Sequence, residues 1–332
     1  MKVIVVDKHS GVPKYKQIVQ SIEMAIAENR LQKGDKLPSV NKVSLEFSIS
    51  RDTVLLAYDE LKKRGIVFAI LGKGYFVKSV EFSFEQRFFV LFDEFNAFKE
   101  DLYASFLEAV NNQAQIDIFF HHFNLEMFRK LVNESNGNYS KYIIMPTNLS
   151  GAANVIKILP AQDVYILDQT NKDLTDYPGV FQNFVKDMYQ ALLIAHHKLK
   201  QYKKLILIFP GHKEPLGMVE GFLKFCVEFD FTHAVIADFE AKTIAMGDVY
   251  IIPNDRHLVQ VIEQSKQQKL HIGHDFGIIS YNDTPLKKVV ENGITTISTD
   301  FKAMGFLLAE MLCSNRKEQV ENQSQLIVRA SL

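Results

Sequence analysis

Residues 34–54, GDKLPSVNKVSLEFSISRDTV, decide how the first part of this chain folds. Ser39 precedes a short run with apolar residues at helical spacing, which predicts that it caps a helix. A tight turn at residues 48–50 then precedes a longer helical pattern, and Gly65 is placed to end that second helix. Two helices joined by such a turn are typical of a helix-turn-helix, a motif that places its second helix in the major groove of DNA.

A further helix and a hairpin flank this stretch. Pro13 stands where a helix begins, and apolar residues follow it at helical spacing. Beyond Gly65, two apolar runs at 66–71 and 75–77 are joined by Gly72-Lys73-Gly74, which predicts a hairpin with glycines at its tip. Three helices and a hairpin make up a winged helix-turn-helix, which we expect over residues 1–78.

Charge separates this head from the rest of the chain. Residues 1–78 carry a formal charge of +6 and the remaining residues −7, which gives −1 for the whole chain of 332 residues. A basic segment beside an acidic one is the distribution expected of a DNA-binding module with a separate partner domain.

The candidate DNA-binding residues supply charge and hydrogen-bond donors. Arg51, at the start of the second helix, can pair bidentately with a guanine edge or with a phosphate. Serine and threonine hydroxyls and helix-start N–H groups can bind phosphate oxygens, although the same side chains are also explained as plain helix caps. The candidates are Ser39, Asn41, Lys42, Ser50, Arg51, Asp52, Thr53, Gly72, Lys73 and Gly74.

The head resembles the winged helix of the GntR family of transcription regulators. Two departures from the family pattern concern cations: Asn41 stands where an Arg is usual, and Leu55 where a basic residue is frequent. Fewer cations imply a shallower salt dependence of DNA binding, and Asn41 can instead read an adenine edge. The residues that carry the resemblance are Pro13, Tyr15, Gln17, Ile18, Gly34, Asp35, Leu37–Val40, Ser50, Arg51, Thr53, Val54, Leu61, Gly65 and Gly72–Val77.

The rest of the chain predicts an α/β architecture. After a short polar connector at 79–87, apolar strand-like runs alternate with helical patterns through 88–332. This alternation is typical of parallel sheets with helices on both faces. The elements are too many for one sheet, so we expect two α/β subdomains with a cleft between them.

Residues 88–332 resemble the effector domain of the LacI/GalR family, in the manner of GntR-headed arabinose repressors. The resemblance implies a periplasmic-binding-protein-like fold that dimerises and binds a small molecule, which we expect to be a sugar. The stretches that carry it are Phe89–Phe92, Asn96–Phe98, Val164–Asp168, Gly221-Phe222, Asn254-Asp255, Ser280–Asp283, Thr295–Gly305 and Leu326–Ser331.

The expected effector site lies outside the carboxyl ends of the strands, where open α/β sheets bind ligands. Amides and carboxylates there can hydrogen-bond sugar hydroxyls, and Phe98 and Phe239 can stack on a sugar face, although either ring can instead belong to the core. Asp255 has the alternative role of a helix cap. The candidates are Asn96, Phe98, Asp168, Lys213, Phe239, Asn254, Asp255, Asn282 and Thr299.

Two positions depart from the LacI/GalR pattern. Met218 stands where an Arg often contacts the ligand, and Asn282 replaces the usual Asp. Lys213 can substitute for the missing cation. These departures leave the class of the effector open.

An α/β enzyme acting on a sugar or sugar phosphate is the alternative for the body. The sequence contains no P-loop, GxGxxG, HExxH or GxSxG motif, and the two His-His pairs direct their side chains apart. We therefore expect no metal, no cofactor and no catalytic residues. No apolar run reaches the 18 residues of a membrane span and no signal peptide is recognisable, which predicts a cytoplasmic protein with operator DNA and a small effector as partners.

Overall fold

The computed structural model describes residues 3–7, 11–80, 86–211, 213–239 and 243–332. Residues 81–85 of the predicted connector lie outside the described residues. No described helix is long and apolar enough to cross a membrane.

The head has the predicted three helices and hairpin. An αL residue, Ser48 with φ of 55°, ends the second helix and turns the chain directly into the third. Residues 34–37 run beside the second strand of the hairpin, where Leu37 N–H donates to the Tyr75 carbonyl (2.9 Å). The elements are α1 Lys14–Ala27, α2 Val40–Phe47, α3 Arg51–Lys63, β1 Val67–Ile70 and β2 Gly74–Val77.

The body alternates strands and helices, as predicted. Its first part contains β3 Gln86–Phe92, α4 Ala97–Val110, β4 Ala114–Phe120, α5 Leu125–Ser135, β5 Lys141–Ile144, α6 Ala152–Ile156, β6 Val164–Asp168 and β7 Gly179–Phe181. Its second part contains α7 Phe184–Leu199, β8 Lys204–Ile208, α8 Gly217–Glu228, β9 His233–Ile236, β10 Asp248–Ile252, α9 Asp255–Gln268, β11 Gly277–Tyr281, α10 Pro285–Val289 and β12 Thr295–Thr299. The chain ends with α11 Phe301–Cys313, β13 Gln319–Glu321 and β14 Ser324–Ile327.

Two six-stranded sheets confirm the two-subdomain prediction. The first has the strand order β13-β7-β6-β5-β3-β4, and the second has the order β14-β12-β11-β10-β8-β9. Within these two sheets all pairings are parallel except that of β12 with β14. The prediction of parallel sheets is therefore confirmed for every strand except the edge strand β14. We call the unit built on the first sheet the N-subdomain and the other the C-subdomain.

The chain crosses between the subdomains three times. The crossings are residues 181–184, 299–301 and 321–324, and together they form the hinge. After the second crossing, α11 returns to the N-subdomain and packs its buried face with that of α4. Gly305 permits this close approach, because a Cβ there would collide with the Leu102 carbonyl oxygen.

The head touches the N-subdomain through the start of α1. The Lys16 ammonium donates to the Gly137 carbonyl (2.9 Å) and to the Asn138 side chain. Gly137 has a positive φ of 73°, and a Cβ there would strike Pro13. The contact therefore requires glycine at this position.

Candidate functional site

The start of α3 is built to remain exposed. Ser50 caps the helix by accepting a hydrogen bond from Thr53 N–H (3.1 Å), and its hydroxyl also lies 2.7 Å from that of Thr53. Arg51 is exposed and forms no ion pair with any residue that the structure describes. A free guanidinium at a helix N-terminus suits it to contact a phosphate or a base edge.

A buried tyrosine fixes the position of this helix. Tyr58 on α3 donates its hydroxyl to the Pro38 carbonyl (2.7 Å), just before α2, and its ring meets Tyr75 of the hairpin at 4.8 Å. Burial raises the pKa of Tyr58, so its hydroxyl stays protonated and remains a donor. The single residue thereby ties α2, α3 and the wing into one unit.

The candidate DNA-binding residues all belong to that unit. Eight are exposed, and Thr53 and Gly74 are half-buried. The alternative role as caps is confirmed for Ser39, which accepts from Lys42 N–H (3.2 Å), and for Ser50. Capping leaves both hydroxyls at the surface, so it does not remove them from a DNA interface.

A cleft of about 520 Å³ lies between the two subdomains, at the carboxyl ends of the strands. This is the place that the strand argument predicts. Seven of the nine candidate effector residues line it, namely Asn96, Phe98, Asp168, Lys213, Asn254, Asp255 and Asn282.

Asp168 ends β6 with a positive φ of 73° and is buried in the cleft wall. Gln182 in the first crossing donates to its carboxylate, and Thr299 in turn donates to the Gln182 side-chain carbonyl. Burial raises the pKa of Asp168, and the charge of Lys99 opposes that rise. Thr299 does not line the cleft, because it stands behind Gln182 and contributes only through it.

Lys99 is a site residue that the sequence does not reveal. Its ammonium is buried and pairs with the buried carboxylate of Asp93, both in the cleft wall. Asn96 caps α4 by accepting a hydrogen bond from Lys99 N–H (3.2 Å). The first turn of this helix therefore places both side chains in the lining of the cleft. Lysine side chains are rarely buried unless they are paired, and the sequence does not show that Lys99 has a partner. Helical spacing alone therefore predicts that this side chain lies in solvent.

Lys287 is a second buried lysine that was missed. Its ammonium donates to the Tyr281 carbonyl (2.7 Å) and the Asn282 carbonyl (2.9 Å), and it lies 2.7 Å from the Asp255 carboxylate. Burial lowers the pKa of Lys287, while Asp255 opposes this effect. Asn254 is the N-cap of α9, accepting from Arg256 N–H (2.9 Å), so the cap role proposed for Asp255 is wrong.

The two aromatic candidates lie in different parts of the body. Phe98 lines the cleft and lies against Phe301, with ring centroids 4.8 Å apart. Phe239 does not reach the cleft. It is 4% exposed and packs in the core of the C-subdomain, where its ring meets Tyr250. The core alternative was therefore correct for Phe239.

Lys213 spans the mouth of the cleft. Its ammonium, carried by the C-subdomain, lies 2.5 Å from the Glu94 carboxylate of the N-subdomain and 4.7 Å from the Phe123 ring centroid. A second contact across the mouth is the hydrogen bond from Asn148 Nδ2 to the Glu214 carbonyl (3.0 Å). Met218 also lines the cleft and is buried.

The described ranges contain no group of three His, Cys, Asp or Glu side chains that could hold a metal ion. The polar groups of the cleft are instead amides, carboxylates, three paired ammonium groups, the hydroxyl of Tyr281 and the exposed guanidinium of Arg256. Amides and carboxylates suit a ligand with many hydroxyl groups.

Comparisons with known proteins match two separate parts of the chain. Residues 14–77 match the family of bacterial regulatory proteins of the gntR type, and residues 234–332 match the periplasmic binding protein-like domain. An uncharacterised HTH-type transcriptional regulator of Bacillus subtilis, YydK, is 38% identical over 65 residues. That match covers 20% of this chain and 28% of that protein's length, so it concerns the head alone.

Other relatives extend over the body. The arabinose metabolism transcriptional repressor of Geobacillus stearothermophilus is 22% identical over 98% of this chain and 97% of its own. A periplasmic binding protein/LacI transcriptional regulator from Alkaliphilus metalliredigens, solved with D-xylulofuranose, superposes with a TM-score of 0.60 at 16% identity, covering 74% of this chain and 98% of that one. The chain thus combines a winged helix-turn-helix domain of the gntR family of bacterial regulators with a periplasmic-binding-protein-like domain of the LacI-type fold.

Proposed function

We propose that this protein is a sequence-specific DNA-binding transcription regulator, a repressor whose operator binding is controlled by a monosaccharide or a sugar derivative. One observation carries the proposal: a polar cleft between two hinged subdomains is joined to a head that exposes the start of α3. Relatives named as an arabinose metabolism repressor and as a LacI regulator with D-xylulofuranose support the same function.

The three ammonium groups of the cleft are not free to bind a sugar phosphate. All three already have carboxylate partners: Lys99 with Asp93, Lys213 with Glu94, and Lys287 with Asp255. A phosphate that bound one of these ammonium groups would have to break its pair, which is most costly for Lys99 and Asp93 because both are buried. The exposed guanidinium of Arg256, which also lines the cleft, is the cation that a phosphate could reach without such an exchange. Hydroxyl groups need no such exchange, because they can donate to Asp168 and Asn282 as they stand.

Each part of the chain has a role in this proposal. Residues 1–78 bind the operator, residues 79–87 connect this head to the body, and residues 88–332 bind the effector and form a homodimer. The homodimer places two heads on a two-fold-symmetric operator. Closure of the cleft around the ligand moves the N-subdomain, and with it the α1 contact at Gly137. Ligand then shifts the population of DNA-competent dimers, provided that it binds the two states with different affinity. An operator as partner places the protein in the cytoplasm.

The relatives are transcription regulators rather than enzymes. An enzyme acting on a sugar or sugar phosphate remains the second candidate, and it predicts turnover of the bound compound. Incubating the purified chain with each sugar that binds, and following the sugar by NMR, separates the two functions. Consumption of the sugar supports the enzyme, and unchanged sugar supports the regulator.

The experiment that tests the proposal is a thermal-shift screen of the full-length chain against monosaccharides and their phosphates, followed by calorimetry. A neutral monosaccharide should raise the melting temperature, and Asn282→Ala should abolish the shift. Glu263→Gln, an exposed change on α9 away from the cleft, serves as the control. Stabilisation by sugar phosphates alone would reject a neutral monosaccharide as the effector, and stabilisation by no sugar at all would reject a sugar effector.

A further inference from the structure

A second cavity, of about 190 Å³, lies at the hinge and away from the cleft. One wall is α7 of the C-subdomain and the other is the third crossing with the start of β14. None of its lining residues belongs to the cleft between the subdomains. The residues used below are Lys186, Asp187, Glu321 and Ser324.

Asp187 is a buried carboxylate in the wall of this hinge cavity, and it is incompletely satisfied. It is 8% exposed, and its Oδ2 atom has no hydrogen-bond partner among the residues that the structure describes. The hydroxyl of Ser324, on the opposite wall, also finds no partner within the described ranges. Buried polar atoms are almost always paired, so two orphans facing one cavity indicate a ligand that supplies hydrogen-bond donors.

The other charges at the cavity do not satisfy Asp187. The Lys186 ammonium lies 2.6 Å from one Glu321 oxygen, and Asn183 Nδ2 donates to the other (3.1 Å). Although burial acts the other way, these contacts hold the pKa of Glu321 below its ordinary value. Two carboxylates and one ammonium leave the cavity with an excess of one negative charge when Asp187 is ionised.

Asp187 titrates near neutral pH. Burial and, to a smaller extent, the charge of Glu321 raise its pKa to about 7, while Lys186 opposes the rise. Tyr281, from β11, is the other titratable group that senses this carboxylate, and burial keeps its hydroxyl protonated. A bound cation would hold Asp187 ionised, in the way that an opposite charge stabilises a buried carboxylate elsewhere.

We propose that the hinge cavity binds a small organic ammonium ion, whose N–H groups donate to Asp187 Oδ2 and Ser324 Oγ. The volume accommodates a cation of a few non-hydrogen atoms together with water. Because the cavity joins α7 to the third crossing, movement of the hinge changes its shape. An ammonium ion that prefers one shape thus forms a regulatory input separate from the effector cleft.

Methylammonium chloride is a suitable probe, and tetramethylammonium chloride is its matched control because it has the same charge and no N–H donor. Thermal shifts of the full-length chain at pH 8 and constant ionic strength should show that methylammonium stabilises the protein more than tetramethylammonium does. Its dissociation constant, from NMR titration, should weaken at least tenfold in Asp187→Asn and measurably in Ser324→Ala. Glu263→Gln should keep the wild-type value.

Three outcomes overturn the proposal. Equal effects of methylammonium and tetramethylammonium would show that no N–H donor is bound. Equal effects of potassium chloride and methylammonium would identify a site for simple monovalent metal ions. Unchanged methylammonium binding by a folded Asp187→Asn variant would move the site elsewhere. The assay uses neither sugar nor DNA, so its result is independent of the proposed function.

Discussion

The ammonium of Lys213 lies 2.5 Å from the carboxylate of Glu94, although the two residues belong to different subdomains. Both side chains are partly exposed, so the pair adds little to the stability of the fold. Its position gives it a different importance, because it joins the two subdomains at the mouth of the cleft and separation of the subdomains would break it.

Lys213→Ala should therefore weaken effector binding by less than tenfold while leaving the free energy of unfolding within about 0.5 kcal/mol of the wild type. The loss arises because the substitution removes a contact between the subdomains, so closure around the effector becomes less favourable. Calorimetry and urea denaturation measure the two quantities. Lys302→Ala, which removes an exposed pair with Asp101 (3.7 Å), is the control. A loss of equal size in both variants would show that the Lys213–Glu94 pair has no special role.

Arg51→Ala should weaken operator binding by about 1–3 kcal/mol, roughly fivefold to 150-fold, in a gel-shift assay. The guanidinium is exposed at the start of α3 and has no structural partner among the described residues, so folding should be unaffected. Arg129→Ala on α5, another exposed arginine, should leave operator binding unchanged. Full operator affinity in Arg51→Ala would place the DNA contact elsewhere in the head.

Thr299→Val should destabilise the fold and also weaken effector binding. The change keeps the shape of the side chain but leaves the buried Gln182 carbonyl without its donor, at a cost of about 1–3 kcal/mol. Gln182 then holds the Asp168 carboxylate less firmly. Chemical denaturation and calorimetry should both register the change. Reduced stability with unaltered effector affinity would show that Asp168 does not need this support.

Asp187 should make the fold less stable as pH rises. Its pKa is about 7 in the folded chain and near 3.8 when unfolded, so the folded state holds its proton more tightly. The resulting stabilisation is complete below pH 3.8 and disappears as pH rises through 7, amounting to roughly 1–3 kcal/mol after allowance for solvent screening. The difference in unfolding free energy between Asp187→Asn and the wild type should therefore change with pH over this interval. A constant difference between pH 4 and 8 would contradict the raised pKa.

The periodicity of the sequence predicts several of the longer elements. The helical patterns at 125–135 and near 184–200 correspond to α5 and α7, and the apolar runs at 164–167 and 277–281 correspond to β6 and β11, because their apolar faces are continuous. The strands β7, β12, β13 and β14 were missed. Of these, β7, β13 and β14 contain only three or four residues, and β7 and β13 continue a sheet that the rest of the chain has already formed.

The site was predictable where its position depends on strand ends. Asp168, Asn254 and Asn282 each follow a buried strand, and parallel topology brings such residues to one edge. Lys99 and Lys287 could not be found in this way, because their burial depends on partners supplied by tertiary contacts. Phe239 failed for the opposite reason, since an aromatic ring near a strand end fits the core equally well.

The three crossings also determine the order in which the protein can become complete during synthesis. The N-subdomain, which the head contacts, takes α11 and β13 from the end of the chain. A ribosome therefore releases the head and β3–β7 long before the helix that covers α4 exists. Until residue 313 has emerged, the buried face of α4 lacks the residues of α11 that cover it, so the nascent chain exposes apolar surface late in translation. Nonsense mutations upstream of residue 301 should consequently yield fragments that aggregate rather than short repressors.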